Sequence, residues 1–459
     1  MNQIHRKLDK LSTELREKYL SKLAYLEKLY FDDERPWVVA FSGGKDSTLV
    51  LQLVYETVLS LQAKGFTALK PVYILSSDTR VESPNVAKYV RDTLNAIATN
   101  AQAGGLPFHV QLVEPTAAES FWGKMIGRGY PPPTRTFRWC TNNMKIRPSR
   151  RAIESITHIY GSVILLLGTR LDESSDRKKR MLAISENESQ LNPHHDIPNA
   201  LVAKPVANWT TDEVWEYLYT FNPPPWGKSH DEMLALYRQA NSNECPVVLD
   251  LSTPSCGGSR FGCWTCTVVK EDKSMQGFMQ QEARLEHLYQ FRNWLKEMRE
   301  NESYRSPVRR NNQAGLGPFK PDARKMLLKK LLEAERKAGL ELISDAELAY
   351  IQQQWISDFD YSNQSVSELV KPFGREVPAL ENLMPVAVSI EKDIIEKLAI
   401  ENDLPSELLE SLLQLGREAE GDMGRWGAKA ELERKVGEFI TKATAQINQA
   451  IPQVMENNP

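Results

Sequence analysis

Apolar side chains at Ile4, Leu8, Leu11, Leu15, Tyr19, Leu23, Leu26 and Tyr30 recur every three or four positions, the spacing of one helix face. The pattern predicts a docking helix over residues 1–30. A β-prone run, Trp37-Val38-Val39-Ala40-Phe41, ends in Ser-Gly-Gly-Lys-Asp-Ser at 42–47 and passes into the helical pattern TLVLQLVYETVLSLQ. Two more apolar runs read as buried strands: Val72 to Leu75, stopping at Ser76-Ser77-Asp78-Thr79, and Ser162 to Leu167, stopping at Gly168-Thr169-Arg170. Strands separated by helices predict an α/β fold, a mostly parallel sheet with helices on both faces and ligands beyond the carboxyl ends of the strands. Thr210 with Glu213, and Ser344 with Glu347, have capping-box spacing and predict helix starts. After about residue 276 the pattern is mostly helical. The expected organisation is a docking helix over 1–30, an α/β core with a cysteine-rich segment over 31–275, and a helical accessory region over 276–459.

At 459 residues the chain is long enough for two or three domains. Its 41% hydrophobic and 25% charged content is ordinary globular usage. Lys plus Arg (57) against Asp plus Glu (60) gives a net charge of −3, so nucleic-acid contact would need a local patch. The longest aliphatic run, Val163 to Leu167, is far too short for a membrane span, and residues 1–15 lack a signal-peptide apolar region. The expected location is cytoplasmic. Of the five cysteines, Cys256, Cys263 and Cys266 fall within eleven residues, a spacing that suggests metal ligation more than disulfides.

A Ser-Gly-Gly turn between strand and helix bends the backbone tightly and aims several amides at one point beside the positive end of the helix dipole. That point fits pyrophosphate. The loop is neither GxxxxGK[ST] nor GxGxxG. Cys256-x6-Cys263-x2-Cys266 supplies three thiolates among flexible glycines, and a fourth ligand must come from elsewhere, with Cys140 and Cys245 available. Four thiolates suit a 4Fe-4S cluster or tetrahedral zinc, and spacing alone does not separate them. A persulfide on Cys140 or Cys245 is a further chemistry. His194-His195-Asp196, between Pro193 and Pro198, reads as an ordinary polar loop. Residues 120–153 contain Lys124, Arg128, Arg135, Arg138, Lys145, Arg147, Arg150 and Arg151 and no acid, an uncompensated run suited to a polyanion or nucleotide. A second basic stretch, Arg305 to Lys330, holds one acid, Asp322.

SGGKDS resembles the PP-loop of ATP pyrophosphatases. SSDTRVESP (76–84), RWCTNNMKIRP (138–148), GTRLDESSDR (168–177) and KPVANWTTDEVWEYL (204–218) look like the phosphoadenosine phosphosulfate reductase branch, in the family's order. Within it, SCGGSRFGCWTC and the long helical tail look most like the DNA phosphorothioation sulfurtransferases. The resemblance implies cleavage of ATP to AMP and pyrophosphate, which activates an acceptor phosphate for sulfur insertion. It implies phosphate binding by Ser42, Gly43, Gly44, Lys45 and Ser47, with Asp46 holding Mg²⁺ or ordering the loop. Asp78 and Thr79 would contact nucleotide, and Arg170 and Arg177 would clamp phosphate charge. It favours a 4Fe-4S cluster on Cys140, Cys256, Cys263 and Cys266. The implied partners are a cysteine desulfurase as sulfur donor, other subunits of a DNA-modification complex, and DNA bound directly or through those subunits.

The leading expectation is thus an ATP-dependent sulfurtransferase acting on the DNA backbone. A phosphoadenosine phosphosulfate reductase is the nearest rival, weakened because no cysteine follows Cys266. A tRNA thiolase is the next. A nucleotide-binding scaffold, which would bind ATP without making AMP, is the non-enzymatic alternative.

Overall fold

Alternation along the first strand sorts its side chains between two layers. The computed structural model describes residues 7–66, 69–173, 191–240, 262–310, 313–360 and 364–378, with single positions 362, 399 and 409. Trp37 and Val39 of strand β1 (Trp37–Ala40), with Phe41 just after it, pack into a large cluster with helices α1 (Thr13–Asp32) and α2 (Lys45–Ala63). Val38 and Ala40 face a smaller cluster on the other side. There they meet Ile153 and Ile156 of helix α4 (Arg147–Tyr160).

Among the described residues the sheet has six strands in the order β3-β2-β1-β4-β6-β5. Strand β2 (Val72–Ser77) leads through α3 (Pro84–Gly104) to β3 (Phe108–Val113) on one side of β1. Strand β4 (Val163–Leu166) and β6 (Ala200–Ala203) lie on the other. These pairings are parallel, and the two-residue β5 (Asn192–Pro193) runs antiparallel at the edge. Strand order therefore reverses between β1 and β4, the crevice where open α/β sheets bind ligands. The loops leaving β1 and β4 carry Ser42–Ser47 and Gly168–Arg170. The expected fold class holds.

The expected helix over 1–30 is broken. The main helix starts at Thr13, because residues 9–12 turn and the Ser12 amide donates to Glu216 of helix α5 (Thr211–Thr220) at 2.7 Å. Leu8 and Leu11 are buried all the same. Both expected capping boxes form, at Thr210 with Glu213 on α5 and at Ser344 with Glu347 on helix α10. Helices α6 (Asp231–Ala240), α7 (Lys273–Met279), α8 (Glu286–Glu300), α9 (Pro321–Ala338), α10 (Asp345–Asp358) and α11 (Ser365–Val370) follow α5. Residues Met1–Val377 form one compact unit and Pro378–Pro459 another. Within the first unit, helices α9 and α10 pack on a π-helical turn at Gly123–Gly127. There Ile126 O accepts from Trp355 Nε1 (2.9 Å) and Arg324 Nε (2.8 Å). No helix among the described residues is long and apolar enough to cross a membrane.

Candidate functional site

Gly43 has φ +75°, and a Cβ there would fall 2.6 Å from Val90 Cγ2, so the turn after β1 requires glycine. Gly44 then caps α2, whose first turn is Lys45-Asp46-Ser47. Ser47 Oγ stands 3.1 Å from Ser42 Oγ and donates to Gly44 O at 2.9 Å, which closes the loop on itself. Lys45, Asp46 and Ser47 are all buried. Lys45 Nζ bonds Asp46 Oδ2 at 2.9 Å, and the fully buried Arg170 bonds Asp46 Oδ1 through Nε. The other two guanidinium nitrogens of Arg170 donate to Trp209 O (2.9 Å) and Thr211 Oγ1 (3.2 Å). Here, then, Arg170 holds Asp46 to the loop. Gly168 permits that approach, since a Cβ would sit 2.8 Å from Asp46 C and O and 2.9 Å from Ser47 N.

The end of β2 carries a second charged pair. Asp78 is buried, which acts to raise its pKa, but hydrogen bonds from Glu82, Arg91 and the Arg80 amide hold it below the usual carboxylate range. Burial and the Asp78 charge, partly offset by Lys145, push Glu82 up to about 8. Of the two carboxyls, Glu82 holds its proton to the higher pH. The Thr79 amide donates to Glu82 Oε2 at 2.8 Å, and Thr79 Oγ1 lies 3.6 Å from Cys263 Sγ.

Cys140, Cys263 and Cys266 line one cavity of about 270 Å³ with Arg138, Thr265 and Asp272. Cys140 comes from the short helical stretch Trp139–Thr141, which runs through π-helical Asn142–Ile146 into α4. Cys263 is bridged to Glu82 beside β2. Burial pushes the Cys140 thiol up to about 11 and raises those of Cys263 and Cys266, with Lys145 opposing the shift at the first two. Among the described residues, Thr265 Oγ1 and Arg138 Nη1 are buried without a hydrogen-bond partner. Three soft sulfurs and two unspent donors in one cavity fit an iron-sulfur cluster. Among the described residues no three His, Cys, Asp or Glu side chains are grouped tightly enough to hold a single metal ion. Both Asp46 oxygens already have cationic partners. Magnesium therefore fits as an ion arriving on the nucleotide's phosphates rather than in a protein cage.

Arg177, Cys245 and Cys256 lie outside the described residues. Ser42, Gly43, Gly44, Lys45, Asp46, Ser47 and Arg170 come together at the β1–β4 crevice, whereas Asp78 and Thr79 follow β2, with Thr79 against Cys263 of the thiol cavity. The basic run needs a correction: its charges are partly compensated, because Glu119 stands one residue outside it. Glu119 takes Arg151 in a two-point contact at 2.7 Å and lies 4.0 Å from Arg147. The His194 ring accepts from the Asp196 and Ile197 amides at 3.1 Å, which makes that segment a self-capped turn. Two site residues escaped sequence reading. Glu82 lay inside a quoted motif without a role, its signal being a carboxylate four residues after Asp78. Tyr237 on α6 receives the Lys45 amide at 2.9 Å, and nothing in its sequence context points to the loop.

The sequence profile of the phosphoadenosine phosphosulfate reductase domain matches residues 36–269. An uncharacterised protein of Methanocaldococcus jannaschii is 28% identical over 204 residues, 44% of this chain and 35% of that protein. The match thus spans about a third of that relative's length. Among solved structures, Candida glabrata FMN adenylyltransferase with FMN and an ATP analogue is 12% identical at TM-score 0.28, covering 47% of this chain and 62% of its own. The U34-tRNA thiolase of Methanococcus maripaludis with its [4Fe-4S] cluster is 11% identical at TM-score 0.29, covering 62% and 79%. Likenesses of that size carry no argument about this chain's chemistry.

Proposed function

The chain belongs to the phosphoadenosine phosphosulfate reductase domain family, and we propose that it is an ATP-dependent sulfurtransferase for the DNA backbone. The observation that carries the reading is the contact between Thr79 and Cys263, 3.6 Å from oxygen to sulfur, which joins the end of β2, the strand paired with β1, to the thiol cavity. The phosphate loop after β1 and the thiols thus meet the carboxyl ends of two neighbouring strands.

In this reading the amides of residues 43–47 and the N-terminal end of α2 hold the β- and γ-phosphates of MgATP. Lys45 neutralises charge that develops on the leaving pyrophosphate. Asp46, fixed by Arg170, keeps Lys45 in place. A non-bridging oxygen of the DNA phosphate attacks the α-phosphorus, the bond to the β-phosphate oxygen breaks, and pyrophosphate departs. A sulfur nucleophile at the oxidation level of hydrosulfide then attacks the DNA phosphorus, and AMP leaves with the original oxygen. Cys140, Cys263 and Cys266, with Cys256 as the fourth thiolate, would hold a 4Fe-4S cluster, which with one thiolate on each iron would supply electron transfer or structural support and no open iron. A cysteine desulfurase supplies the sulfur as a persulfide, an external thiol reductant converts it to hydrosulfide and is itself oxidised to disulfide, and partner subunits or this chain present the DNA.

The test is product analysis. Purified protein with MgATP should yield AMP and pyrophosphate, and Asp46→Asn should lower turnover at least tenfold with the fold intact, because Lys45 and Arg170 both lose an ionic partner. Release of ADP and phosphate would contradict the assignment.

A further inference from the structure

The two basic stretches of the sequence meet at Tyr130. Residues 305–310 and 313–319 form the two arms of a short hairpin, with antiparallel bridges Arg305–Phe319 and Val308–Ala314 and a bond from the Arg309 amide to Gln313 O at 2.8 Å. The hairpin docks on the first basic run: the Phe319 amide donates to Gly129 O at 2.7 Å, and Arg310 Nη2 donates to Arg128 O. The Arg310 guanidinium lies 4.9 Å over the Tyr130 ring. Arg310 thus reaches the backbone of Arg128 across about 180 residues of sequence, and both Arg309 and Arg310 are exposed. The nearest acid of α10, Asp358, is committed to Arg324 at 2.8 Å. Two exposed guanidinium groups in succession, Arg309 and Arg310, attract an anion.

An aromatic ring is presented beside them. Phe137 is 43% exposed and nearly parallel to Tyr130, at 13° and 6.2 Å between centroids. Its loop is braced: the Phe137 amide donates to Thr134 Oγ1 (3.1 Å), and the Thr134 amide donates to Phe137 O (3.1 Å). Pro131 O receives Trp139 Nε1 at 2.9 Å, and Pro133 O receives Thr267 Oγ1 at 2.8 Å. A large exposed ring held rigidly has already lost the motion that binding would otherwise restrict. Arg135, two residues before Phe137, is exposed. Pro133 and Arg138, at either side of this loop, line the cysteine cavity.

We propose that this surface binds an unpaired stretch of DNA strand, with one base stacked on Phe137 and the flanking phosphates on Arg135, Arg309 and Arg310. The inference rests on the nucleic-acid reading above and narrows it, because a base in a closed duplex presents no face to a side chain. Stacking on Phe137 would hold the strand locally opened at the mouth of the thiol cavity. It leaves ATP cleavage to other residues.

The test is fluorescence anisotropy of a labelled single-stranded 12-mer oligodeoxynucleotide and of its duplex, without ATP, on the full chain. The single strand should bind more tightly than the duplex. Phe137→Ala should weaken single-strand binding about tenfold, as loss of a base-stacking aromatic does, while Phe137→Tyr preserves it. Arg309→Ala with Arg310→Ala should lower the salt slope by about 0.7 per lost phosphate contact. Equal affinity for strand and duplex, or wild-type binding by Phe137→Ala, overturns the proposal. The outcomes separate from those of the enzymatic reading. AMP formation with no effect of Phe137→Ala removes only the surface, whereas Phe137-dependent strand binding without AMP formation removes only the chemistry.

Discussion

The Lys45 amide donates to the hydroxyl of Tyr237 at 2.9 Å, so a side chain from α6 occupies the position at the start of α2 where an anion would bind. Tyr237 is buried and packs edge-on against Trp215 at 4.9 Å. Phosphate entering the loop must displace this hydroxyl before it can reach the amide.

Removing the competing hydroxyl should therefore help the nucleotide. Tyr237→Phe should bind ATP about fivefold more tightly, the effect of one neutral hydrogen bond. Isothermal titration reads it directly. Weaker binding by the variant would make Tyr237 a phosphate ligand instead.

His230 gives a pH signature. Its Nε2 lies 3.0 Å from Gln52 Oε1, and Gln52 Nε2 donates to the buried Glu56 at 3.0 Å, so the imidazole donates from Nε2. Burial is the main cause that lowers its pKa to about 4. Because the folded pKa lies below the unfolded value of about 6.5, its contribution is present above pH ~6.5 and is lost as pH falls toward 4, on the order of 3 kcal/mol in full. The difference in urea stability between wild type and His230→Gln should shrink over that window. Glu56, raised by burial, has the opposite sign, losing stability as pH rises through its folded value. A pH-independent difference would mean that the imidazole is not held neutral.

Anaerobically purified protein should be brown, with about four irons per chain. Cys263→Ser and Cys266→Ser should each reduce the iron and the visible absorbance. Cys140→Ser tests the fourth corner: full iron in that variant, with loss in Cys245→Ser, would move the ligand to Cys245. Stoichiometric zinc in colourless protein would replace the cluster assignment.

The sheet and its loops were legible because their signals are local. Trp37–Ala40, Val72–Ser77 and Val163–Leu166 are apolar runs that end in polar turns, and the two capping boxes are spaced by helix geometry itself. Strand β3 was not read, since Phe108–Val113 is an edge strand whose exposed His109 and Leu112 blur the apolar pattern. Thiol spacing brought out Cys263 and Cys266, but their shared cavity with Cys140 depends on the fold of residues 131–146. Tyr237 and Glu119 act across long or oblique contacts that no period encodes. The compensation of Arg151 by Glu119 was missed because the acid lies just outside the basic run.

The account stands or falls on sulfur in DNA. Genomic DNA from cells carrying the wild-type chain, the Ser47→Ala variant or no copy should be digested with nuclease and its dinucleotides analysed by mass spectrometry. The account predicts phosphorothioate-linked dinucleotides in the wild type, loss without the chain, and at least a tenfold decrease with Ser47→Ala, whose hydroxyl closes the phosphate loop. Phosphorothioate present at equal levels in all three, or absent from the wild type, would contradict it.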